Sequence, residues 1–144
     1  MARWPREPEE LHRWEQGENY ALVLEFNPHV IGVELGGAFN RHALDVVVPP
    51  IERLFERSSA AHIFWDAESL ESHDGESRDT MVGLLRRQRS RWQGLHVLYK
   101  SALIGMTVGA VGLLFRGALK GYRDHEKFSQ AVAQALSITD ALPG

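Results

Sequence analysis

Cysteine is absent from the 144 residues. That excludes disulfide staples, thiolate metal sites and cysteine nucleophiles, and it fits a reducing compartment. Long apolar runs are also missing. The most apolar stretch, Ala102 to Phe115, has 14 residues, whereas a membrane span needs about 20. The opening Met1-Ala2-Arg3-Trp4-Pro5 leads into acid at Glu7, Glu9 and Glu10, which is not the apolar core of a signal peptide. A cytoplasmic protein is therefore expected. Neither sign of charge dominates: 16 Lys and Arg stand against 19 Asp and Glu, a net charge of -3. Such a balance gives no overall attraction to nucleic acid or to an anionic membrane. No Gly-x-Ser-x-Gly elbow occurs, and no P-loop or Gly-x-Gly-x-x-Gly follows a strand. The histidines never take the His-x-x-x-His spacing that would put two metal ligands on one helix face. Internal repeats and low-complexity segments are missing too.

What is present describes an ordinary globular domain, 44% apolar and 24% charged, of a size that buries its own core. Residues 1–18 are charged and carry two prolines and a glycine, and they read as a tail pinned by Trp4 or Trp14. Tyr20–Phe26 and Val30–Leu35 read as strands of a hairpin joined at Asn27-Pro28. Phe39–Ser58 is helical by its apolar spacing. Pro49-Pro50 in its middle predicts a break or restart, because a mid-helix proline costs roughly 3 kcal/mol. Ala61–Asp66 is a buried strand. Ser77–Trp92 is an amphipathic helix, closed by Gly94. Leu95–Tyr99 is the fourth strand and Leu103–Phe115 an apolar helix. Gly117–Gly121 is a linker, and Asp124 caps a last helix, His125–Leu136. Alternating strands and helices predict an α/β fold: a mixed sheet of about four strands, an antiparallel hairpin followed by parallel strands, with four to five helices mainly on one side. The domain is expected over residues 19–138, with a C-terminal tail at 139–144.

The most informative stretch is Ala61–Ser101. The apolar run His62-Ile63-Phe64-Trp65 stops at Asp66, and an acidic, serine-rich loop follows, with Glu68, Ser69, Glu71, Ser72, Asp74, Glu76 and Ser77. Open α/β sheets place their functional surface at the carboxyl ends of strands, so function is expected in this loop. The plainer reading makes these groups solvated carboxylates and a helix cap, since acids are favoured in a first helical turn.

The order of elements, the segment Leu35-Gly36-Gly37-Ala38-Phe39 before the first helix, the strand ending in Asp66 and the second acid Asp74 before a helix together resemble the STAS domain. That is the fold of anti-sigma-factor antagonists, and small standalone bacterial STAS/SEC14-like proteins are nearest in pattern. The likeness spans roughly Tyr20 to Leu136. It implies a non-catalytic regulatory module with no cofactor. Its partner would be another protein, a regulatory kinase, an anti-sigma-like factor or an assembly partner, contacted through Asp66, Ser69, Ser72, Asp74, Glu76 and Ser77 and the helix after them. In the antagonists serines follow the second acid, and one of them is phosphorylated by the partner kinase. Here Gly75 and Glu76 follow Asp74, and Ser77 is the nearest hydroxyl. A phosphoryl group on Ser69, Ser72 or Ser77 would add about two negative charges to an already acidic loop.

Other constellations are weaker. His62, His73, Asp66 and Asp74 are candidates to converge at one strand end, which would suit a metal-dependent hydrolase. Arg86-Arg87-Gln88-Arg89-Ser90-Arg91 reads as a solvated helix face, or as a docking patch for an acidic protein; nucleic acid would need a broader basic surface. Apolar residues point all round the Ala102–Phe115 helix, so a second subunit is one candidate cover, making Leu103, Met106, Val111 and Leu114 self-association candidates in a homodimer. The same segment supports an alternative function, binding of a small apolar or lipid-like ligand.

Overall fold

A computed structural model describes residues 4–143. The strand β1, Glu9–Gln16, turns through Gly17-Glu18 into β2, Asn19–Asn27. Gly17 takes φ 61° there, the left-handed backbone that a two-residue hairpin turn requires. Residues 9–16, expected in a tail, are thus the first strand of the sheet. β3 spans Val30–Phe39, α1 Arg41–Arg57 and β4 Ala61–His73. α2 covers Gly75–Arg87, and a single 3-10 turn, Arg89–Arg91, leads into β5, Trp92–Tyr99. α3 covers Ala102–Phe115, β6 Leu119–Tyr122 and α4 His125–Thr139.

The sheet has six strands, not about four, in sequential order β1 to β6. β1, β2 and β3 are antiparallel, and β3 to β6 are parallel. Strand side chains alternate between faces, and the sequence uses that alternation to build two cores. Ile63 and Trp65 of β4, with Leu95 of β5, join the core under α1, α2 and α3. Phe64 and Leu98 turn the other way and meet Phe128, Val132 and Leu136 of α4. Trp4 completes this second core. It packs edge-on against Phe26, at a tilt against Phe128, and donates from Nε1 to Glu34 at 2.9 Å.

Three local expectations give way to tertiary structure. α1 runs unbroken through Pro49 and Pro50. Val47, Ile51, Leu54 and Phe55 of that helix are essentially fully buried. At about 1.5–3 kcal/mol each, their burial outweighs a penalty of roughly 3 kcal/mol per proline. Gly94 lies inside β5 and ends no helix. A Cβ there would come within 2.8 Å of His96 Nε2 and 3.1 Å of His62 Nδ1, so the glycine makes room for two imidazoles. The segment 117–121, expected as a linker, contains most of β6, whose main chain pairs with β5. At the other end, the C-terminal residues are tied down, since His29 Nε2 donates to the Pro143 carbonyl at 2.9 Å.

Candidate functional site

The segment after Asp66 is not a loop. β4 continues to His73, pairing Ser69 with Gly36, Ser72 with Ala38 and His73 with Phe39. β5 pairs with β4 only as far as Ala67. Beyond that residue β4 has β3 on one edge, and Ser69, Glu71 and Ser72 face solvent on a ridge. Two register shifts fall in this extension, which breaks the apolar–polar alternation a sequence reader looks for.

The six residues expected to meet a partner divide. Ser69, Ser72, Asp74 and Glu76 are exposed. Asp66 is 2% exposed, and its carboxylate accepts from the Glu68 amide at 3.2 Å. Ser77 is also buried. Asp74 caps α2, accepting from the Ser77 amide at 2.8 Å and from the Ser77 hydroxyl at 2.9 Å. These two hydrogen bonds, the amide first, hold the Asp74 carboxyl below its ordinary range. Ser77 is therefore a fixed part of the cap, and Asp66 and Ser77 are both buried rather than on the ridge surface.

His73 turns away from the ridge. Its Nε2 lies 2.7 Å from Thr107 Oγ1, whose hydroxyl donates to the Leu103 carbonyl at 3.3 Å. The contact ties the end of β4 to α3. Beneath it, α2, α3 and the sheet enclose an open cavity of about 130 Å³. Leu35, Trp65 and Leu95 form its floor; Met81, Leu85, Ile104 and Val111 form its walls. The apolar Ala102–Phe115 segment pointed to such a space, but its place was not legible in the sequence, because the lining side chains come from six separate elements.

The histidine–carboxylate convergence does not form. His73 is engaged by Thr107, while His62 stacks at 6.1 Å from His96 and 6.4 Å from Phe64 on the α4 side. Among the described residues, no three His, Asp or Glu side chains are grouped to hold a metal ion. His96 lies flat on Phe64, ring centroids 4.2 Å apart, and its Nδ1 is 2.8 Å from the Tyr122 hydroxyl. Burial, assisted by the His62 and Lys120 charges, pushes His96 down to about 3. Burial lowers His62 and raises Tyr122 as well.

Leu103, Met106 and Leu114 of α3 face solvent, as their self-association reading needs. Val111 does not, because it is half-buried in the cavity wall. Leu113, not one of the four self-association candidates, is the most exposed large apolar side chain among the described residues. The basic run lies next to this helix: Arg86 and Arg89 share a surface recess with Leu114, Phe115 and Arg116. No helix among the described residues is long and apolar enough to cross a membrane.

No protein-family model matches the chain, and no curated protein does. Solved structures do. An uncharacterized protein of the DUF3478 family with a SpoIIAA-like fold, from Shewanella loihica PV-4, superimposes with a TM-score of 0.60 at 8% identity, covering 88% of this chain and 96% of its own. The anti-sigma-factor antagonist SpoIIAA in its unphosphorylated form superimposes with a TM-score of 0.59 at 15% identity, covering 78% of this chain and 97% of its own. The chain thus has the SpoIIAA-like, or STAS-like, α/β fold.

Proposed function

We propose that the chain is a non-catalytic regulatory module that binds another protein through the ridge at the end of β4 and the start of α2. Ser69, Ser72, Asp74 and Glu76 make the contact, and Asp66 and Ser77 hold it in shape. The single observation behind this reading is the exposed hydroxyl-and-acid ridge at the carboxyl end of a parallel strand, on the fold of an anti-sigma-factor antagonist. Charge on such a ridge governs encounter and partner choice more than raw affinity. Phosphorylation of Ser69 or Ser72 would then switch the interface, whereas Ser77 stays unmodified because its hydroxyl is committed to Asp74. A regulatory kinase, an anti-sigma-like factor or an assembly partner fits, in a bacterial cytoplasmic setting. Affinity capture from the native cell tests this. Wild type should retain a discrete protein that Glu76→Lys loses and that a surface change on α4, Gln134→Lys, keeps. Equal capture by both variants would reject the ridge.

A second reading has its own support. The cavity of about 130 Å³ is close in size to an engineered apolar cavity of about 150 Å³ that takes up benzene. A small apolar ligand would lie between α2 and α3. Native mass spectrometry should then detect a bound compound that Val111→Trp, which fills the space, displaces. An unliganded mass, with no thermal shift on adding small hydrocarbons, would remove this reading.

A further inference from the structure

Helix α3 has no charged side chain in its 14 residues, and of these only Ile104 and Phe115 are buried. Met106 and Leu113 stand 74% and 82% exposed, with Leu103 and Leu114 beside them near half. One exposed leucine needs no explanation, but a contiguous apolar face marks an interaction surface. Cations bracket this face. Lys100 precedes the helix and Arg116 ends it, both exposed. Arg86, in the last turn of α2, and Arg89, in the 3-10 turn after it, border the same recess as Leu114 and Arg116. None of these four cations is in an ion pair among the described residues; Arg89 donates to the Trp92 carbonyl at 2.8 Å and lies 4.0 Å over the Trp92 ring, contacts that hold the guanidinium without neutralising its charge.

We propose that this face docks on an anionic lipid bilayer, with α3 lying flat at the boundary between headgroups and acyl chains and Lys100, Arg86, Arg89 and Arg116 on the lipid phosphates. The uncompensated cations select an anionic occupant. The apolar side chains select lipid over protein. Thr107 is the only polar side chain of α3, and His73 and the Leu103 carbonyl already engage it. The outward face thus offers no side-chain hydrogen bond to fix the register of a protein partner, which interfaces ordinarily supply. A hydrocarbon boundary needs no register, and an uncharged helix flanked by Lys and Arg suits it. Fourteen residues at about 1.5 Å each fall short of a bilayer core of about 30 Å, so the helix lies in the interface. The net charge of -3 does not oppose this, because charges beyond a Debye length of about 8 Å are screened.

Sedimentation of the intact protein with vesicles tests the proposal, comparing phosphatidylcholine alone with phosphatidylcholine containing phosphatidylglycerol. Binding is expected to the anionic vesicles and to weaken as salt rises. Arg86→Gln and Arg116→Gln should each cut affinity about fivefold, and Leu113→Asp more than tenfold. Ile138→Asp, an exposed apolar site on α4, is the control and should leave binding unchanged, as should Glu76→Lys on the ridge. All five positions are exposed, so the variants should melt as wild type does. Absence of sedimentation with anionic vesicles would overturn the proposal, as would equal binding to neutral ones. A dimer abolished by Leu113→Asp, without vesicle binding, would assign the face to a second copy instead.

Discussion

Gly37 shows how much one backbone angle fixes near the ridge. It sits at φ 70°, and a Cβ there would come within 2.1 Å of Asn19 Oδ1 and 2.9 Å of the Glu18 carbonyl. The same Asn19 oxygen accepts from the Ala38 amide at 2.9 Å, so the glycine, the asparagine and the β3–β4 pairing at Ala38 and Ser72 depend on one another. Gly37→Ala should cost at least the roughly 1–2 kcal/mol of a left-handed L-residue, read as a lower urea midpoint. A second effect at this scale depends on pH. His96 titrates near 3 when folded and near 6.5 as an unperturbed side chain. Between those values the unfolded chain takes up a proton that the folded chain refuses, so stability is full above about pH 6.5 and falls as the pH drops toward 3. Denaturation midpoints at pH 8 and pH 4.5 should show the loss. His96→Phe should flatten it, while lowering stability at pH 8 because Tyr122 loses its partner.

Individual elements obey their neighbours more than their own sequence. α1 keeps two prolines because its apolar face is covered by the sheet. Pro49 is half-buried whereas Pro50 is buried. Pro49→Ala should therefore restore a helix hydrogen bond without opening a cavity, and stabilise the protein by about 1–3 kcal/mol; a fall in melting temperature would show that the proline is needed where it stands. β4 presents the reverse case. Its last residues, Glu68 to His73, are polar and acidic, yet β3 holds them extended. For a sequence reader that composition means loop, and only the pairing partner makes it strand.

At the scale of the molecule, one sheet separates two cores, and the smaller depends on the start of the chain. Trp4 lies over Gly32, whose Cβ position is 3.1 Å from the indole ring, and it touches Phe26 and Phe128. Arg6 pairs with Asp140 after α4, which draws both ends of the chain to this face. Trp4→Ala should cost about 3 kcal/mol or more, visible as a lowered melting temperature and increased binding of a hydrophobic dye. Truncation before residue 8 should do the same, while an unchanged melt would mean that the strap carries no stability. The opposite face carries the cavity, the ridge and α3, so the proposed functions all lie on or beside the α1–α3 layer.

The sequence by itself determined the alternation of elements, the helix caps at Asp74 and Asp124, the apolar strands at the sheet centre and the apolar character of α3. Each follows from local periodicity or from a side chain bonding its own backbone. Position in space was decided only by tertiary structure. It made residues 9–16 and 119–122 into strands, because an edge strand of mixed polarity exists only where a neighbour pairs with it. It buried Asp66 and Ser77 while leaving Ser69, Ser72 and Glu76 exposed, and it turned Val111 inward and Leu113 outward, since which face of an all-apolar helix is covered depends on what packs there. The recess that joins Arg86 and Arg89 to the end of α3 spans separate elements, and only the fold brings them side by side.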